Sequence, residues 1–115
     1  MYRLKYAEVI EDDQTEARER ERMALTRSIE LMVAAEEDGA TPADKAMAIL
    51  FTTNLWTTLI EDLAEPDNML PKALRAQIIS IGIWILRELE SIRNDAPHGF
   101  EDLKAVSVSI RDGLL

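Results

Sequence analysis

His98 is the only imidazole in the chain, and there is no cysteine. Those two facts bound the chemistry open to these residues. Metal sites with histidine ligands, the di-iron Glu-x-x-His bundles included, need more than one histidine. Without cysteine there is no thiolate metal site and no disulfide, and no sign of an oxidising compartment. A Ser–His nucleophile pair needs its base on a structured element, whereas His98 lies in the loop sequence Asp95-Ala-Pro-His-Gly99. Glu61 and Asp62 are adjacent carboxylates, but neighbours on a helix point about 100° apart, so they read as a solvated helix end. There is no glycine-rich phosphate loop. The reading is a protein without catalytic residues, metal ligands or cofactor.

Basic residues offer no nucleic-acid site either. The stretch ARERER, residues 17–22, alternates arginine with glutamate and reads as a salt-bridged helix face. The formal net charge of -9 would repel a polyanion over most of the surface. Direct nucleic-acid contact is therefore not expected.

What remains is apolar surface. The run AMAILFTTNLWTTLI between Lys45 and Glu61 carries no charge, and neither does AQIISIGIWIL between Arg75 and Arg87. Each is apolar on more than one face, so each must be buried on several sides. The chain has 115 residues, enough for a single domain over 1–115 with one core. Little else in it can bury two such helices, so the chain either folds with these two at its centre or leaves part of their surface for a partner or a second copy. No run reaches bilayer length, and the start lacks a signal pattern. A cytoplasmic protein without membrane insertion is expected.

The punctuation sets out the elements. An extended or singly turned N-terminal segment precedes Asp13-Gln-Thr-Glu16, which has the form of a capping box. Helix one then carries Leu25, Ile29 and Met32 on one stripe and stops at Gly39. It ends in Glu36-Glu37-Asp38, a charge the helix dipole disfavours at that end. The choice there lies between solubility and an acidic rim beside an apolar groove. Thr41-Pro42-Ala43-Asp44 starts a second helix that runs to about Ala64. Glu65-Pro66-Asp67-Asn68 is a turn. Pro71 opens a third helix reaching roughly Arg93, and a short fourth follows with Leu103, Val106 and Ile110 on one side. Short connections make neighbours antiparallel. The expected fold is all-α: a small antiparallel four-helix bundle-like domain with an extended N-terminal segment.

Helix three divides into the stripe Leu74, Ile78, Ile81, Ile85, Leu89 and a second stripe Ile79, Ile83, Leu86, with Trp84 apart from both. Gly82 costs about 1 kcal/mol against alanine in mid-helix, which calls for close approach of another helix. Trp56 or Trp84 is the expected anchor for a bound helix, since tryptophan leads among interface hot spots. Phe51, Leu55 and Leu59 are the expected groove walls, with Tyr2 and Tyr6 next in line. The alternative for both indoles is the core.

The segments YAEVIED, EARERERMALTRSIELM, LWTTLIEDLAEPDNMLP, LRAQIISIGIWILRE and IRDGL together resemble FlaF, a family of small flagellar biosynthesis regulators of alphaproteobacteria. The resemblance follows the same order over nearly the whole chain, and no piece of it is a catalytic signature. It implies a role in flagellin synthesis and export, alongside the regulator FlbT, with flagellin engaged before secretion. Two functions compete under it. In one, a chaperone-like protein covers an amphipathic flagellin helix. In the other, flagellin mRNA translation is regulated through FlbT, without direct flagellin binding. A homodimer that covers its own surplus apolar surface is a third option.

Overall fold

A computed structural model describes residues 2–113 of the chain, with side chains from Thr15 onward. Among the described residues there are four helices and no strand: α1 (Tyr2–Ala35), α2 (Pro42–Ala64), α3 (Lys72–Arg93) and α4 (Glu101–Gly113). The packed pairs are α1 with α2, α2 with α3, and α1 with α4, so α3 is held mainly by α2. No helix among the described residues is long and apolar enough to cross a membrane.

The N-terminal segment departs from expectation. It is helical rather than extended: α1 begins at Tyr2 and passes through Asp13 unbroken, so the helix does not start at Asp13. Residues 2–22 contain neither glycine nor proline, and glutamate, arginine and alanine are good helix formers. A capping-box pattern starts a helix only where the chain before it cannot continue one. At 34 residues α1 rises about 51 Å, which accounts for most of the molecule's 58 Å length.

The other end of α1 stops early. The helix finishes at Ala35, and its last bonds tighten to Glu36 N–Val33 O at 3.1 Å and Glu37 N–Ala34 O at 3.4 Å. Glu36-Glu37-Asp38 therefore lies in a turn, which Gly39 completes at φ +85°. Yielding before three acidic residues keeps them out of the last helical turn, where the dipole would oppose them. α2 starts as its sequence requires. The Thr41 hydroxyl accepts from Asp44 N at 3.2 Å, the Asp44 carboxylate accepts from Thr41 N at 2.8 Å, and Pro42 sits in the first turn.

The core joins Leu25 and Met32 of α1, Ala48, Ile49 and Trp56 of α2, and Ile85, Leu89 and Ile92 of α3. Phe100 and Leu103 close it from the fourth helix and the residue before it. One polar pair is buried in it: the Ser28 and Thr52 hydroxyls, 2.8 Å apart, tie α1 to α2. Between α3 and α4 the chain turns at Asp95, which takes φ +61°. Ala96 N bonds Ser91 O and Asp95 N bonds Ile92 O, the crossed pair of a Schellman end with aspartate where glycine is usual. A His98 Nε2–Glu88 Oε2 contact at 2.9 Å and a Lys104–Glu36 ion pair at 2.8 Å then fix the loop and the start of α4.

Candidate functional site

Gly82 brings the two uncharged runs together. It is buried, and a β-carbon on it would stand 2.8 Å from Trp56 Cε3 and 3.0 Å from Ile60 Cδ1. α3 can lie this close to α2 only with no side chain at that point. The close approach expected of Gly82 is thus met by the Trp56 ring.

Beside this contact, along the flank of α2 and α3, runs a groove of about 900 Å³. Its apolar walls are Ala46, Ile49 and Leu50 from α2 and Leu86 and Leu89 from α3, with Thr53 and Thr57 on the rim. Leu50 is 60% exposed. Ile83, one turn from Leu86, is 42% exposed. From Pro42 to Thr57 the α2 wall spans about 22 Å, or four helical turns. One end is closed by Ala35, Ala40 and Thr41 together with Lys45, Arg93 and Asp95. A smaller apolar cleft of about 710 Å³ lies on the other side of α3, between Ile81 and Trp84 and Val106 and Ile110 of α4.

The expected binding residues fall in four places. Trp56 is fully buried and belongs to the core, so it presents no surface to a partner in this structure. Its expected role as an anchor gives way to core packing, because Gly82 leaves a slot that the indole fills. Trp84 is 37% exposed and lines the α3–α4 cleft, away from the larger groove. Phe51, Leu55 and Leu59 form an i, i+4, i+8 row that is half-buried, and they wall neither groove beside α3. Leu55 and Leu59 pack against the core instead. Tyr2 and Tyr6 lie on α1 where side chains are outside the described residues.

The residues that do wall the groove were partly visible beforehand. Leu86 belongs to the second stripe of helix three, a second apolar face that needs cover of its own. Leu50 gave no such signal, since it falls outside the Phe51, Leu55, Leu59 row of its helix.

Several titratable residues have structural partners. His98 pairs with Glu88, and Glu36 with Lys104. Glu19 pairs with Arg22 within the arginine-rich stretch. Asp62 receives Asn68 Nδ2 at the end of α2. Burial pushes the Glu21 carboxyl above its usual range, and the nearby Asp62 charge adds to this.

A sequence model of the family described as flagellar protein FlaF matches residues 2–114 of the chain. No curated protein and no solved structure matches it.

Proposed function

Because the chain belongs to the FlaF family of flagellar proteins, we propose that it is a cytoplasmic, chaperone-like binding protein for flagellin that promotes flagellin synthesis and export. An amphipathic helix of the unassembled subunit lies along the α2–α3 groove. Such helices aggregate unless their apolar face is covered, and a helix-in-groove complex covers it. The observation that carries the reading is the groove itself: four helical turns long, uncharged along its middle, with Leu50 standing largely exposed. Interface cores are depleted of charge in the same way.

The test is titration of purified chain with monomeric flagellin, followed by the mass of the complex. A 1:1 or similarly defined complex is expected, with affinity that survives moderate salt because apolar burial drives it. Leu50→Glu is expected to abolish the complex while the fold persists. A chain that captures FlbT but leaves flagellin free would favour regulation of flagellin mRNA translation through FlbT. A complex with RNA that weakens steeply as salt rises would refute both.

A further inference from the structure

We infer that the binding surface continues from the groove over the outer edge of α2, and that this edge selects a helix with uncharged flanks. The apolar stripe of the ligand is bordered there by serine, threonine, asparagine or glutamine. The inference rests on the groove reading and adds the chemistry of the ligand.

Between Lys45 and Glu61 the exposed residues of α2 are Ala46, Met47, Leu50, Asn54, Thr57 and Thr58. None is charged, in a chain whose residues are 30% charged. The other helices do place charge on exposed positions: Arg18 and Arg27 on α1, Arg87 on α3, Glu101 on α4. Leu50 and Thr57 line the groove. Met47 stands three residues before Leu50, Asn54 four after it, and Thr58 four after Asn54. At helical spacing these three form a row just outside the groove wall, and Met47 is 56% exposed. The uncharged strip therefore leaves the groove and covers the outer face of α2 for about 20 Å.

Folding does not call for this composition. At an exposed helix position lysine, glutamate and arginine are good helix formers, while threonine and asparagine are poorer ones. Asn54, Thr57 and Thr58 thus weaken the helix locally and, being exposed, gain little packing in return. What they supply is hydrogen bonding without charge. The Thr57 hydroxyl donates to Thr53 O at 2.8 Å, which leaves its oxygen able to accept. The Asn54 amide offers both donors and an acceptor.

A lysine or glutamate of the ligand covered at this edge would lose water and meet no counter-ion. A hydroxyl or amide can be paired there and loses little. The charges at the closed end of the groove are matched among themselves, Lys45 with Asp95 and Arg93 with Glu90, and offer no unmatched partner either. A second copy of the chain fits the strip badly. Asp44 and Glu61 bound it. Two copies crossing on it antiparallel would set Asp44 of each against Glu61 of the other, and parallel copies would set each carboxylate against its own equivalent. Like charges face each other in both arrangements.

Two capped synthetic peptides of about 16 residues test this. They share one apolar stripe and have zero net charge. One carries serine, asparagine and glutamine on its flanks, the other equal numbers of lysine and glutamate. Binding is read by fluorescence anisotropy at low and moderate salt. The neutral-flanked peptide is expected to bind about tenfold tighter at both salt concentrations. The double variant Asn54→Lys, Thr58→Lys should not lower the melting temperature, since lysine suits an exposed helix position. It should weaken the neutral-flanked peptide about fivefold or more, whereas Asn54→Gln, Thr58→Ser should keep its binding. Equal binding of the two peptides, with both lost in Leu50→Glu, would keep the groove and overturn the selection at its edge. Undiminished binding to the lysine variant would do the same. Neither peptide binding, or a dimer in solution that Leu50→Glu disperses, would overturn the groove reading together with this inference.

Discussion

Two grooves of comparable size run along this small bundle, and their walls differ in kind. The α2–α3 groove encloses about 900 Å³, and the α1–α4 groove about 670 Å³. The second is lined by Glu19, Arg22, Arg27, Glu30, Arg111 and Asp112, with Met23 its one large apolar residue. Its charges pair among themselves: Glu19 with Arg22, Arg27 with Glu30 at 3.5 Å, Arg111 with Asp112 at 3.1 Å. A partner entering there would have to displace water from satisfied ions and would gain little. In the first groove the middle is apolar, and covering it releases water from hydrocarbon. Concavity alone does not make a docking surface; the sign and pairing of the wall charges decide.

The comparison depends on α3 staying pressed to α2, and the contact that holds it gives the largest expected effects. Trp56→Ala empties the slot beside Gly82 and should destabilise by about 3–5 kcal/mol. Trp84→Ala, on a residue with over a third of its surface in solvent, should lose only about 1–2 kcal/mol. Thermal or urea unfolding of both variants checks the ranking. Equal losses would mean that the two indoles are not core and surface respectively.

Gly82→Leu drives a side chain into the Trp56 ring and should destabilise by about 1–3 kcal/mol. Trp56 is fully buried, so its ring can shift only by displacing core neighbours. On a free helix face the same change would stabilise through propensity, so a raised melting temperature would break the packing argument, and with it the common wall of the groove.

Much of this was legible in the residues. Thr41-Pro-Ala-Asp44, the turn at Pro66 and the breaker at Asp95 fixed three helix boundaries, because capping and turn chemistry is local. Gly82 announced a close contact because a mid-helix glycine carries a cost that packing must offset. The start of α1 was misread for the opposite reason: Asp13 has the chemistry of a cap, but nothing before it stops the helix. The site was harder to see. Phe51, Leu55 and Leu59 lie on a helix that is apolar nearly all round, and periodicity cannot say which side faces a neighbour. That depends on where α1 and α3 sit, which is a tertiary matter. Trp56 was ambiguous for the same cause, since an indole suits a core and an interface equally.

Charging the two grooves in turn sharpens the comparison. Leu50→Glu and Met23→Glu replace residues that are 60% and 63% exposed, so each should change stability by no more than about 0.5 kcal/mol. Their effects on flagellin should part company. A carboxylate at position 50 would be buried unpaired under a bound helix, for a loss of about 2 kcal/mol or more in binding. At position 23 it joins a surface already charged, and binding should be unchanged. Parallel losses would show that the ligand spans both grooves.

The smallest effect lies on α1, the helix that carries the charged wall, where it packs on the end of α2. Glu21 is half-buried there with its carboxyl raised, first by loss of water and then by Asp62, while Arg18 and Arg20 pull it partly back. A raised acid is neutral in both states at low pH and costs nothing. As pH climbs through its folded value the native state holds its proton longer than the unfolded chain, so stability is lost with rising pH. At neutral pH the ionised group therefore opposes folding slightly. Glu21→Gln should raise the melting temperature near pH 7 by about two degrees, the equivalent of a few tenths of a kcal/mol. The gain should fade as pH falls through the carboxylate range, where the wild-type side chain also becomes neutral. Glu30→Gln is the control: it loses an exposed pair with Arg27 and should show no gain at neutral pH. A Glu21→Gln advantage that persists undiminished into acid would trace to helix packing at that position, and neither burial of the charge nor Asp62 would be its cause.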